Sequence, residues 1–233
     1  MRHLVWFRND LRISDHPALH AATSDGDTIA CFCICTAQWR SHDMGDRRMA
    51  FQQRALQALA ADLAARNIPL KVLQTPEFSE VPSALVALCK TLDVSAVHFN
   101  NEYPLNERRR DDAVTAALRA ADIEVTRHTA DTVFAPGKLL TAAGKPYTVF
   151  SPFYKQWRVR LENEMGAMPP APSPQRDINV PADPVPPEWD GVSAELDAHL
   201  WPASESAAQA SLFKFVDERL TAYKETRDLP AVP

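Results

Sequence analysis

The 233-residue sequence has few of the features that mark membrane, secreted or disulfide-stabilised proteins. Its longest apolar runs, such as residues 84–89, are far shorter than the roughly 20 residues that a bilayer-spanning helix needs. Only four apolar residues separate His3 from Arg8, which is too few for the apolar region of a secretory signal. We therefore expect a cytoplasmic protein without a membrane span.

Cysteine is rare, with four residues in the chain, which excludes a disulfide framework. Cys31, Cys33 and Cys35 alternate along one apolar run, so they are expected to share one face of a strand. Since no Cys or His pair lies near them at the spacing of metal ligands, we interpret them as reduced core thiols and predict no metal site.

Glycine is also scarce, at six residues, and no Gly-x-Gly-x-x-Gly follows the first apolar run. The dinucleotide-binding fingerprint is therefore absent. Positive charge is limited as well, because 25 basic residues stand against 30 acidic ones and the net charge is −5. The chain lacks the electrostatic footprint of a nucleic-acid-binding protein, so any DNA contact must be local or lie outside these residues.

What the sequence does contain is an alternation of short apolar runs with helical patterns. The apolar runs predict five strands, at residues 4–7, 28–34, 70–73, 95–99 and 123–126. Between them, apolar spacing predicts helices over 48–66, over 79–92 with Ser79 as the cap, and over 104–121. This order predicts an α/β fold with an open, mainly parallel five-stranded sheet, helices on both faces and the first strand at the centre.

Proline is abundant and unevenly distributed. Eight of the 19 prolines fall among residues 169–187, which predicts a mobile linker. A short helix is expected before it, at 155–165. After it, Ser204 can cap a helix whose apolar stripe is too small to be buried alone. We therefore divide the chain into an α/β domain (1–130), a connector (131–203) and the opening helix of a further helical domain (204–233).

In an open α/β sheet, ligands bind beyond the carboxyl ends of the strands. The charged cluster 8–12 follows the first strand, and we favour a structural ion-pair network for it. His42 lies in the loop after the second strand. Asn106 and Glu107 lie in the first turn of the helix after the fourth strand, where a carboxylate complements the helix dipole even without a ligand.

Four segments resemble, in order, motifs of the DNA photolyase and cryptochrome family. They are Trp-Phe-Arg-Asn-Asp-Leu-Arg at 6–12, Asn-Asn-Glu-Tyr-Pro-Leu-Asn-Glu-Arg-Arg-Arg-Asp at 100–111, Tyr-Thr-Val-Phe-Ser-Pro-Phe at 147–153 and Tyr-Lys-Glu-Thr-Arg-Asp-Leu-Pro at 223–230. The resemblance is strongest to bacterial cyclobutane pyrimidine dimer photolyases that use a folate antenna.

This resemblance implies an amino-terminal antenna domain and a helical domain that holds FAD and docks on UV-damaged DNA. In the family, the excitation energy of the antenna passes to reduced FAD, which donates an electron to a flipped-out thymine dimer. By motif, His42, Asn106 and Glu107 contact the antenna pigment, which we expect to be 5,10-methenyltetrahydrofolate. Tyr223 matches a contact to the FAD phosphates and Arg227 a residue near the DNA backbone.

The chain also departs from the family pattern. Members continue into a Thr-Ser-x-Leu-Ser segment and a long helical domain with electron-transfer tryptophans, whereas the tryptophans here lie at positions 6, 39, 157, 189 and 201. We therefore expect a monomeric amino-terminal portion that holds no catalytic residue and is inactive alone. A cryptochrome-type photoreceptor and a stand-alone nucleotide-binding α/β module remain alternatives. The pigment could also be a deazaflavin or a flavin.

Overall fold

The computed structural model describes residues 1–192 and 196–229, and within them the core is one five-stranded sheet in the order β3-β2-β1-β4-β5. Every neighbouring pair is parallel. The strands are β1 (Arg2–Phe7), β2 (Asp27–Ile34), β3 (Leu70–Gln74), β4 (Ala96–Asn100) and β5 (Glu124–His128). The predicted α/β class and the central position of the first strand are confirmed.

The helices of the described residues are α1 (Pro17–Asp25), α2 (Thr36–Ser41), α3 (Asp46–Ala64), α4 (Val81–Thr91), α5 (Leu105–Ala120), α6 (Phe150–Glu164), α7 (Glu205–Glu218) and α8 (Tyr223–Thr226). The short helices α1 and α2 were not predicted. Ser79 as a cap was wrong, because a 3₁₀ turn at Phe78–Glu80 precedes α4 and is capped by the reciprocal bonds of Glu77 and Glu80. Helix α6 begins at Phe150 instead of Lys155.

Three helices are closed at their carboxyl ends by a residue other than glycine. Each helix is followed by an Asn or Asp in the left-handed conformation and then by a buried β-branched residue whose N–H bonds back to the helix five residues earlier. The pairs are Asn67-Ile68 after α3, Asp93-Val94 after α4 and Asp122-Ile123 after α5. This is the Schellman arrangement, with Asn or Asp in the position that glycine most often occupies.

The proline-rich linker is packed against the sheet, so the expectation of a mobile segment was wrong. The N–H of Asp183 donates to Leu70 O at 2.7 Å and its carboxylate accepts from Val72 N–H at 3.0 Å. The side chain of Gln175 accepts from Thr28 N–H and donates to Thr28 O, at 2.8 and 2.9 Å. The prolines prevent regular secondary structure, but the extended chain that they favour covers the outer edge of β3.

Helix α7 has a different environment from the helices of the sheet. Ser204 caps it as predicted, accepting from Ala207 N–H at 3.1 Å. The carboxylate of Glu205 accepts from Ile13 N–H at 2.7 Å, which ties α7 to the loop after β1. None of its residues is buried, and Phe213 is 70% exposed.

Pro230, which ends the fourth family-like motif, lies outside the described residues. The division of the chain into domains at residues 130 and 203 stays a prediction.

No helix in residues 1–192 and 196–229 is both long enough and apolar enough to cross a membrane.

Candidate pigment-binding site

The carboxyl ends of β1, β2 and β4 surround a cavity of about 320 Å³, a volume within the range of small-molecule sites. Four aromatic side chains, Trp6, Phe32, Trp39 and Phe78, line it together with polar and charged residues. Cys35 also lines it, and burial raises the pKa of this thiol to about 12. A neutral thiol adds to the apolar character of the wall.

Paired charges form one side of this cavity. Glu102 Oε2 accepts from Arg110 Nη2 at 2.5 Å, and Arg110 also pairs with Asp111 at 2.8 Å. Arg8 lies 3.6 Å from Asp111 and 3.7 Å from Glu102. Burial raises the pKa of Asp111, although Arg8 and Arg110 act against it. Two arginines face two carboxylates, so this side offers directed hydrogen bonds with little net charge.

The charged cluster 8–12 includes a second buried network, which confirms the ion-pair interpretation. Asp10 Oδ2 accepts from Asn100 Nδ2 at 2.7 Å and from His16 Nε2 at 3.0 Å, while Oδ1 accepts from Arg8 N–H at 2.8 Å. His16 caps α1 by accepting from Leu19 N–H through Nδ1. Burial alone raises the pKa of Asp10, but His16 and Arg8 outweigh it and hold the pKa far below its usual range.

The structure brings the three sequence-predicted pigment residues together. His42 and Glu107 both line the cavity. Asn106 lies beside the cavity, with its Nδ2 2.8 Å from His42 Nε2. On its other side, His42 Nδ1 is 2.9 Å from Gln38 Nε2 and from Gln38 O. The loop histidine is therefore held between α2 and the amino terminus of α5.

Tyr223 and Arg227 lie apart from these three in the sequence, on the exposed helices after the linker. Tyr223 is 47% exposed and packs edge-to-face on Phe215, at a ring-centroid distance of 5.7 Å. The N–H of Arg227 donates to Tyr223 O at 3.0 Å, and its guanidinium pairs with Asp228. The two predicted residues are thus one helical turn apart.

Three cavity-lining residues were not predicted as site residues and carry a buried polar atom with no hydrogen-bond partner among the described residues. The atoms are Trp6 Nε1, Arg8 Nε and Gln52 Oε1. Trp6 and Arg8 could have been found, because positions i and i+2 of a strand lie on one face. Gln52 lies inside an amphipathic helix, and its sequence position contains no signal of a site.

Three histidines form a row across neighbouring strands, outside the cavity-lining set. His3 Nδ1 is 3.0 Å from His98 Nε2, and His98 Nδ1 is 3.3 Å from His128 Nε2. Burial, with smaller contributions from His128 and His3, lowers the pKa of His98 to about 4. In the part of the chain that the structure describes, no group of three or more His, Cys, Asp or Glu side chains could hold a metal ion.

The fold is an α/β domain with a cavity at the carboxyl edge of a parallel sheet. The family model described as DNA photolyase matches residues 3–175, and the chain belongs to this family. A deoxyribodipyrimidine photo-lyase of Salmonella typhimurium is 35% identical over 99% of this chain and 49% of that protein.

Solved structures of photolyases and cryptochromes also resemble this chain. A class III photolyase from Agrobacterium tumefaciens superposes with a TM-score of 0.77 and 26% identity, covering 100% of this chain and 48% of that one. A cryptochrome from Synechocystis has a TM-score of 0.73 and 25% identity, covering 97% and 49%. The chain spans about half the length of these relatives.

Proposed function

We propose that this chain is the light-harvesting portion of a deoxyribodipyrimidine photo-lyase that repairs cyclobutane pyrimidine dimers in UV-damaged DNA. One observation carries the proposal: His42 and Glu107 line one cavity at the carboxyl edge of the sheet, and Asn106 contacts His42 beside it. These are the residues to which the family resemblance assigns the antenna pigment. The fold and the family membership of the chain agree with this function.

The pigment proposed for the cavity is 5,10-methenyltetrahydrofolate, which would absorb light and pass the excitation to FAD. Glu107 would accept paired N–H groups of its amino-pyrimidine edge, and the carboxylate charge would strengthen those bonds. The contact between His42 and Asn106 fixes the loop on one side of the cavity. The unpaired oxygen of Gln52 fits the same ligand, because it leaves an acceptor free for another N–H group.

Tyr223 and Arg227 are the proposed contacts to FAD and to the DNA backbone. Both side chains are exposed, and the same segment also exposes apolar side chains such as Leu220, which is 50% exposed. A flavin site would need many contacts besides Tyr223, because one contact cannot offset the entropy of fixing so large a ligand.

The test is the affinity of the protein for 5,10-methenyltetrahydrofolate in the wild type and in Glu107→Gln. The amide presents a donor where the pigment also presents donors, so binding should weaken by roughly 1.5–3 kcal/mol, or about 10- to 150-fold. Asp112→Asn is the matched control, because Asp112 lies on the same helix but pairs with Arg127 at 2.6 Å. Equal affinity in Glu107→Gln and the wild type, with folding intact, would assign Glu107 to helix capping alone.

A cryptochrome-type photoreceptor is the second candidate, and the similarity to the Synechocystis cryptochrome favours it. Repair of a thymine-dimer oligonucleotide under blue light by the full-length protein separates the two functions. Repair supports the photo-lyase, whereas its absence in a protein that binds both pigment and FAD supports the photoreceptor.

A further inference from the structure

Trp6 is held rigidly at the wall of the cavity. Its side chain is 1% exposed. The guanidinium carbons of Arg8 and Arg110 lie 4.5 and 4.8 Å from the ring centroid, and Phe99 packs against the indole edge-to-face at 5.3 Å. Cation–π contacts and an edge-to-face aromatic pair both stabilise a defined ring orientation. The direction of the indole N–H is therefore set before any ligand arrives.

This N–H has no hydrogen-bond partner among the described residues. The sulfur of Cys33, on the same cavity wall, interacts with Trp6, but sulfur is a weak hydrogen-bond acceptor. Buried polar groups are paired in the large majority of cases, and an unpaired one calls for a specific explanation. A fixed, buried donor on a residue that lines a cavity fits a ligand that brings its own acceptor.

We propose that Trp6 is a specificity-determining residue of the pigment site, whose indole N–H donates to a ring nitrogen or carbonyl oxygen of a planar heterocycle bound in the cavity. This assignment rests on the proposed function, and it adds a recognition group on β1 to those on α2 and α5. Arg8 Nε, two residues further along on the same wall, makes no hydrogen bond among the described residues, although it lies 3.7 Å from Glu102 Oε2. Heterocycles without an acceptor at this edge would be rejected, because the donor would stay buried and unpaired.

Trp189 provides a matched control within the same molecule. It is also buried, at 2% exposure, and its Nε1 also lacks a partner among the described residues. It packs against Trp39 and Phe32, at centroid distances of 5.4 and 6.0 Å, but does not itself line the cavity. Trp6→Phe and Trp189→Phe therefore remove the same group from the core, and only Trp6 lines the cavity.

The experiment is a titration of the chain with 5,10-methenyltetrahydrofolate, and separately with FMN as a second heterocycle. Trp6→Phe should weaken binding roughly tenfold, the loss of one hydrogen bond, and Trp189→Phe should change it less than about twofold. A measurement without mutation accompanies it: the assigned indole N–H resonance of Trp6 should shift downfield and exchange more slowly at saturation, while that of Trp189 stays in place. This result is available even if Trp6→Phe does not fold.

Each outcome is decisive. If the folate binds and Glu107→Gln weakens it, but the Trp6 resonance does not move and Trp6→Phe binds normally, the assignment of Trp6 is overturned and the proposed function stands. If neither heterocycle binds the wild-type chain, the proposed function and the assignment of Trp6 both fail. An equal loss in Trp6→Phe and Trp189→Phe would also overturn the assignment, because it would reflect a general loosening of the core.

Discussion

Replacing Asp10 by Asn removes one charge from the buried network that joins the end of β1, the start of α1 and the end of β4. The new amide would place an NH₂ group against Asn100 Nδ2 and His16 Nε2, both of which donate to Asp10 Oδ2 in the native protein. Asn100 cannot simply turn its oxygen toward the new donor, because its Oδ1 accepts from Ala18 N–H at 3.2 Å. His16 is also fixed, since its Nδ1 caps α1.

The expected cost of Asp10→Asn follows from these contacts. Two hydrogen bonds to a charged acceptor, from Asn100 and His16, are lost, so the free energy of unfolding should fall by about 3–5 kcal/mol. For a chain of this size, that corresponds to a fall in Tm of roughly 10 °C. Urea denaturation at pH 7 measures the change in the free energy of unfolding directly. Asp15→Asn is the control: this side chain is 51% exposed in its pair with Arg12, and its removal should cost less than about 0.5 kcal/mol.

The pH dependence gives a second check on the same residue. The folded-state pKa of Asp10 is lowered, so its contribution is complete above the unfolded pKa of about 4 and is lost as the pH falls below it. The difference between the wild type and Asp10→Asn should therefore be constant from pH 7 to 5 and shrink in stronger acid. A loss below about 1 kcal/mol at pH 7 would refute the reasoning, because it would mean that the network is not needed to hold these elements together.

Three further predictions follow from other parts of the molecule. Burial lowers the pKa of His98 to about 4, below the unfolded value of about 6.5, so the free energy of unfolding should fall by roughly 2–3 kcal/mol between pH 6.5 and 4. Denaturation curves of His98→Gln should show a smaller fall. An identical pH profile for the wild type and His98→Gln would contradict this. Gln175→Ala should lower the free energy of unfolding by about 2 kcal/mol and speed proteolysis within residues 169–187. Gln209→Ala, on the exposed helix α7, should change neither the free energy of unfolding nor the rate of proteolysis. The purified 233-residue chain should contain far less than one equivalent of FAD and show no repair activity, since Tyr223 is its one assigned flavin contact; a flavin absorbance near one equivalent would disprove this.

The sheet could be predicted from sequence because its central strands contain continuous apolar runs, such as residues 29–34 in β2. Helix α1 was missed because its apolar residues show only a weak helical periodicity. Its cap is also a histidine, His16, which is not among the usual capping residues. The linker was misjudged for a different reason. Proline content indicates the absence of helix and strand but contains no information on packing, which here depends on the hydrogen bonds of Gln175 and Asp183 to the sheet.

The candidate site was predictable where motifs exist and not elsewhere. His42, Asn106 and Glu107 came from the family resemblance, and the structure brings them together from α2 and α5. Gln52 and Phe78 reach the same cavity from α3 and from the turn before α4. Their contribution depends on how those elements pack, which no local pattern records.

The central claim is that the cavity at the carboxyl edge of the sheet holds a light-absorbing heterocycle. The most direct test is a crystal structure of the protein saturated with 5,10-methenyltetrahydrofolate. We expect the pterin ring beside the aromatic side chains of the cavity, its amino-pyrimidine edge at Glu107 and an acceptor atom at Trp6 Nε1. Density for the pigment elsewhere on the protein, with this cavity holding only solvent, would contradict it.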